Sequence, residues 1–214
     1  MTLESLTKEQ EDKFPYYVEK WVRIGNSLVT EDFYTDDIVN SIKVAVQKMY
    51  KIAGEKIELE NVLISPSPSM SPFMAAAHVH GKKGTPTKKM KCKIPNMESV
   101  EAFVNSFANP KEIVQKAGAY CELRYWGALD AGFCAFVDFF NTETELGNTA
   151  LVPHKETIEV MHNEITCLCY DLLIADGLCV VSKKPIYQDF DMSEGYPVAK
   201  SGKIKWADGT VIEY

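Results

Sequence analysis

Leu178-Cys-Val-Val-Ser182, followed by Ile186-Tyr-Gln-Asp-Phe190, is the stretch where the hydrophobic period of the chain falls from about 3.6 to 2. Before it, apolar residues recur at helical spacing; within it they run together or alternate as in strands. Farther on, Ser201-Gly202 and Asp208-Gly209 are turn dipeptides flanked by short alternating runs, the pattern of a hairpin. The switch predicts an α+β fold. Roughly five to six helices form a body over residues 1–177, closed by a small C-terminal antiparallel β-meander over 178–214. Both parts are read as packing on one core, as a single domain, with no βαβ rhythm.

Working outward, residues 125–140 read Tyr-Trp-Gly-Ala-Leu-Asp-Ala-Gly-Phe-Cys-Ala-Phe-Val-Asp-Phe-Phe, a helix-length block of aromatic and small residues. Leu129, Phe133, Phe136, Val137 and Phe140 fall at helical spacing and predict the buried stripe. Ala128, Ala131, Gly132 and Ala135 are small enough to let a second helix approach closely. The core is expected around Phe133, Phe136, Phe140 and Trp21.

The other helices carry their own start and stop signals. Thr7-Lys-Glu-Gln10 has the form of a capping box, and Phe14, Tyr17, Val18, Trp21 and Ile24 follow at amphipathic spacing up to Gly25. Pro15 either kinks that helix or marks its true start. Asp36-Asp37 opens a second helix whose stripe is Ile38, Ile42, Ala45, Val46 and Met49, closed by Gly54. Val62-Leu-Ile-Ser65 is a short strand, and the Pro-Ser-rich residues 66–72 are a loop before a short helix over 73–79. Asn96 caps a helix with Met97, Val100, Phe103, Val104 and Phe107 inward, Asn109-Pro110 breaks it, and another runs to Gly118. Pro153 starts a long helix with Ile158, Met161, Ile165, Leu168 and Leu172 inward, ending at Gly177.

At 214 residues the chain can bury a sizeable core, and 46% hydrophobic with 25% charged residues is ordinary for a globular protein. No apolar run approaches membrane-span length, so no membrane partner is expected. The first ten residues lack the basic and apolar regions of a signal peptide. The cysteines, Cys92, Cys121, Cys134, Cys167, Cys169 and Cys179, therefore read as free thiols in a reducing, cytoplasmic setting. Cys134, Cys167, Cys169 and Cys179 lie in apolar runs, where cysteine acts as a small hydrophobe.

Several of these pieces resemble an uncharacterised domain-of-unknown-function family of bacteria and viruses. Leu6-Thr-Lys-Glu-Gln10, Tyr17-Val-Glu-Lys-Trp21 and Ile24-Gly25 are similar to its N-terminal helix. Val62-Leu-Ile-Ser-Pro-Ser-Pro68, the block from Tyr125 to Phe140, Cys179-Val-Val-Ser-Lys-Lys-Pro185 and Trp206-Ala-Asp-Gly209 resemble its later elements in order. Residues 78–95 have no counterpart in it, and the Gly195-Tyr-Pro197 element carries an insertion. The resemblance implies architecture and allows a viral or phage origin, with a virion or host cytoplasm as location. It brings no activity.

Charge is the strongest functional signal. No acidic residue lies between Asn61 and Met97, whereas Lys82, Lys83, Lys88, Lys89, Lys91 and Lys93 supply six positive charges. The chain carries −7, so removing those six leaves −13 on the rest. A basic segment on an acidic body suits an acidic protein partner or a second copy of the chain. Nucleic acid is the alternative through phosphate contacts, although no aromatic residue lies among these lysines to stack a base.

Catalytic and metal signals are sparse. His78-x-His80 is poorly spaced for chelation on a strand or a helix. Glu159-x-x-His162 lacks the second such motif that a carboxylate-bridged metal pair requires. No nucleophile elbow, zinc-protease helix or phosphate-binding loop is present. The sequence thus predicts a non-enzymatic protein-binding or structural module, self-associating or partnered through the six lysines, with no catalytic residue, metal or cofactor assigned. The rival reading is an enzyme with a pocket formed by Tyr125, Trp126, Asp130, Asp138 and His162.

Overall fold

The computed structural model describes residues 6–80, 105, 111, 123–125, 131–144, 159–160, 164–175, 177–191 and 198–213. Its helices are α1 (Lys8–Gly25), α2 (Asp36–Ile52), α3 (Ser71–His80) and α4 (Ala131–Glu143). Its strands are β1 (Val62–Ser65), β2 (Leu123–Tyr125), β3 (Cys169–Ala175), β4 (Leu178–Lys183), β5 (Tyr187–Asp191), β6 (Val198–Lys205) and β7 (Val211–Glu213), and a 3₁₀ turn, Leu59–Asn61, precedes β1. The fold is α+β. The helices expected over 96–118 lie outside the described residues apart from Asn105 and Lys111, both helical.

A four-stranded mixed sheet, ordered β1-β4-β3-β2, occupies the centre. β1 runs parallel to β4, with Val62 opposite Cys179 and Ser65 opposite Ser182, and β3 lies antiparallel to both β4 and β2. Strand alternation sends side chains to two covered faces. On one, Val62, Leu172, Cys179 and Val181 meet Ile42, Ala45, Val46 and Met49 of α2. On the other, Leu173, Ala175, Leu178 and Val180 meet Ala75 of α3, whose neighbours Ala76 and Ala77 are buried as well. Small residues along α3 let it lie close to the strands.

This centre corrects two expectations. The long helix read over 153–177 ends early: a turn at 166–168 leads into strand β3. Six of the seven β3 residues are buried, so both faces are apolar and the strand shows no alternation. Ile165, Leu168 and Leu172 then fit a helical template by coincidence. Gly177 closes a tight β3–β4 connection with φ +65°, not a helix. The second correction concerns β4, which belongs to the central sheet and not to the terminal meander.

The meander is β5-β6-β7, antiparallel throughout. Asp208-Gly209 is its β6–β7 turn, with Gly209 at φ +88° and its N–H on Trp206 O at 3.0 Å. Ser201-Gly202 is not a turn: it lies inside β6, where the register with β5 slips between Gly202 and Val198. Trp206 and Ile204, both fully buried, pack with Tyr170 of β3, the two rings meeting edge to face at 5.3 Å. Trp206 Nε1 donates to Lys183 O at 2.9 Å, which fixes the meander to the end of β4.

α1 and α4 pack as an antiparallel pair. The capping box at Thr7 and Gln10 is present, and α1 runs through Pro15 with no earlier break. Tyr17 and Trp21 of α1 bury against Ala131, Cys134, Ala135 and Phe139 of α4. The expected stripe on α4 holds in part: Val137 is buried and Phe140 packs against the α1 interface, whereas the most buried ring is Phe139, which the stripe omitted. Phe139 is fully buried, Phe136 is 45% exposed and Phe140 is only partly buried; the side chain of Phe133 and the position of Leu129 lie outside the described residues. The bulky rings of α1 face small residues, so alanines and a cysteine line much of the facing side, with Phe139 buried among them and Phe140 packed against the cluster.

The helix pair gives a direct test. Phe139→Ala should lower the free energy of unfolding by about 3–5 kcal/mol, whereas Phe136→Ala should cost under about 1 kcal/mol. Urea denaturation of both variants followed by tryptophan fluorescence distinguishes them, and equal losses would return the core to the Phe136 face.

Candidate functional site

The polar residues of the α1–α4 interface act as clamps. Asp138 Oδ2 accepts from Lys20 Nζ at 2.8 Å and Trp21 Nε1 at 3.0 Å. Glu143 takes Lys13 Nζ on Oε2 and the Tyr17 hydroxyl on Oε1, each at 2.8 Å, while its carbonyl accepts Gln10 Nε2 at 2.7 Å. The hydrogen bond from Lys13, then that from Tyr17, holds the Glu143 carboxyl below its usual range. Burial, reinforced by Glu143, pushes the Tyr17 phenol up to about 12. These groups are committed to holding two helices together.

Of the expected pocket, Asp138 faces α1 in this way and Tyr125 ends β2 opposite Leu172. Trp126, Asp130 and His162 lie outside the described residues, as do Lys82, Lys83, Lys88, Lys89, Lys91 and Lys93. His78 Nε2 meets Asn61 Oδ1 at 3.0 Å, a bond between α3 and the turn before β1, and Glu159 is exposed. Among the described residues no three His, Cys, Asp or Glu side chains gather as a metal-binding group, and no helix is long and apolar enough to cross a membrane. Cys134, Cys169 and Cys179 are buried and unbridged. Burial drives the thiols of Cys169 and Cys179 far up, so neither is a thiolate at neutral pH. Cys167 differs from the expectation: it is exposed, because it sits in the turn ahead of β3.

A second candidate geometry lies elsewhere, at the carboxyl ends of the parallel pair β1 and β4. Four connections converge there: residues 26–35 between α1 and α2, the Ser-Pro loop after β1, the segment from β4 to β5, and the β6–β7 turn. Between them is a cleft of about 120 Å³ lined by residues that include Glu31, Tyr34, Pro66, Lys183, Lys184 and Asp208. Crevices outside the carboxyl ends of strands are where open α/β sheets commonly receive ligands.

Lys184 forms the inner wall. Only 2% of it is exposed, and its ammonium donates to Ile24 O at 2.9 Å and Ser27 Oγ at 2.6 Å, at the C-terminal end of α1. A cation there satisfies helix carbonyls that have no intrahelical donor. Its backbone N–H donates to the Tyr34 hydroxyl, which in turn donates to Leu168 O, both at 2.6 Å. Burial pushes the amine down to about 8. The outer wall carries Lys183, whose ammonium lies 4.8 Å from the Tyr34 ring centre.

Across the cleft, Asp208 is 5% exposed. Its Oδ1 accepts Thr210 N at 2.9 Å and its Oδ2 accepts Thr210 Oγ1 at 3.1 Å. The Thr210 hydroxyl meets Ser67 Oγ at 3.0 Å, and Ser65 Oγ donates to Ser67 O at 2.6 Å. This buried hydroxyl chain joins the loop after β1 to the meander. Comparison with family models, with curated proteins and with solved structures finds no match to the chain.

None of these cleft residues was read from the sequence as a site residue, although Lys183, Lys184 and Asp208 fall in the 179–185 and 206–209 elements. The available signal was Ser182-Lys-Lys-Pro185 directly after a wholly apolar strand, where the first lysines beyond a buried β4 have little solvent to reach. A lysine with a depressed folded pKa costs stability while it is charged and recovers it as pH rises from the folded value near 8 toward the unfolded 10.5. The stability of the wild type relative to Lys184→Met should therefore rise by on the order of 3 kcal/mol between pH 7 and 10.5. Parallel denaturant titrations in reductant measure it. The comparison isolates Lys184 together with the Cys169 and Cys167 thiols that its charge touches, and a pH-independent difference would remove Lys184 as the titrating group.

Proposed function

We propose that this protein is a non-enzymatic binding module that presents its lysine-rich segment to an acidic protein surface, a second copy of the chain included. The observation that carries the reading is the acid-free run from Asn61 to Met97, with six lysines, in a chain of −7. The fold supports it at both ends of the segment. On one side α3 is seated on β1, β3 and β4; on the other, β2 is hydrogen-bonded to β3. The lysines thus lie in sequence between two anchors on the same sheet. Charge of one sign on a body of the other raises encounter rates and selects partners more than it adds affinity. Unbridged thiols at Cys134, Cys169 and Cys179 suit a reducing compartment.

Light scattering after size exclusion, at low and high salt, tests the reading. The wild type should show an assembly above the 24.1 kDa monomer, or a captured acidic partner, that dissociates as salt rises. The triple change Lys88→Glu, Lys89→Glu and Lys91→Glu should abolish it with unfolding unchanged. Association that survives the charge reversal would overturn the reading. Binding to duplex or single-stranded nucleic acid with a steep salt slope, and to no protein, would replace it.

A further inference from the structure

The cleft at the ends of β1 and β4 holds charges of both signs that do not neutralise one another. Lys183 and Asp208 both line it, yet no ion pair joins them, and among the described residues the Lys183 ammonium has only the Tyr34 ring as partner. Asp208 is buried and uses two acceptor positions, on Thr210 N and Oγ1, of the roughly four that a carboxylate offers. Glu31 adds a second carboxylate at the exposed rim. Each Asp208 oxygen is paired with Thr210 and keeps a second acceptor position that a further donor can use. Lys184 cannot be that donor, since its ammonium is turned to Ile24 and Ser27.

We propose that the cleft binds a small zwitterion of the α-amino-acid class, its carboxylate on the Lys183 ammonium and its ammonium on Asp208 and Glu31. The Tyr34 ring, Pro66 and Ile186 provide apolar walls for a short side chain. The volume, about 120 Å³, is close to that of engineered cavities of about 150 Å³ that take a benzene ring. A space of that size accommodates glycine, alanine, serine or threonine, whose heavy-atom counts are close to that of benzene. A simple anion is disfavoured by two carboxylates on the wall, and a simple cation by the neighbouring lysines. Nothing in this site depends on the lysine-rich segment, so either reading can fail alone.

Thermal unfolding and calorimetric titration of the full chain test the proposal with glycine, alanine and serine at millimolar concentration. Acetate and methylammonium at matched ionic strength serve as the two halves. The expected result is a concentration-dependent rise in Tm with at least one amino acid and with neither half. Lys183→Met and Glu31→Gln should each weaken that binding by roughly tenfold while leaving the unliganded Tm in place. Absence of any amino-acid response, an equal response to acetate, or unchanged affinity in both variants would overturn it.

Discussion

A buried ammonium needs acceptors within reach, and Lys184 can find them only where a helix ends. That need fixes the exit of α1: Ile24 O and the Ser27 hydroxyl must stand beside the end of β4. Ser27 Oγ also donates to Ile24 O at 2.8 Å, so the acceptors are held in place before the lysine reaches them. Val29 N then donates to Pro185 O, the Tyr34 hydroxyl takes the Lys184 N–H, and Trp206 holds Lys183 O. Three consecutive residues thus tie the helix pair, the central sheet and the meander together. The cleft is the space left where these attachments meet.

How much of this was legible depended on whether an element shows one face to water. α1 and α2 do, and the capping box of α1 and both apolar stripes follow from spacing, while Thr35, the N-cap of α2, was not read. The central strands do not. β3 is covered by α2 on one side and α3 on the other, so its residues carry no period and were absorbed into a helical pattern upstream. Asp176-Gly177, a turn dipeptide between two apolar runs, held the information that two strands meet there. Reading Gly177 as a helix stop concealed it. On α4 the difficulty was different: ring size was taken as a guide to burial, yet much of the face opposite Tyr17 and Trp21 is small.

The site was less legible than the fold. Lysines in a run advertise themselves, whereas Lys183, Lys184, Tyr34 and Asp208 come from three distant parts of the chain and meet only through the topology. Asp138 drew attention as a carboxylate on an aromatic helix, and the structure gives it Lys20 and Trp21 as partners, while Glu143, not singled out in the sequence, takes Lys13 and Tyr17. A complementary polar row on α1, at positions 13, 17, 20 and 21, was the sign that they serve packing.

The parallel pairing of β1 with β4 has a consequence for the order of assembly. Val62 meets Cys179, and Tyr17 meets Glu143 126 positions away, so α1, α2 and β1 lack much of their final cover until α4 and the central strands follow. Closing such distances costs chain entropy before any contact repays it, which slows folding relative to proteins built from local contacts. During synthesis α2 would present Ile42, Val46 and Met49 to solvent while it waits. Until β3 and β4 follow, α2 keeps an apolar stripe without its full cover, the kind of surface through which incomplete chains aggregate.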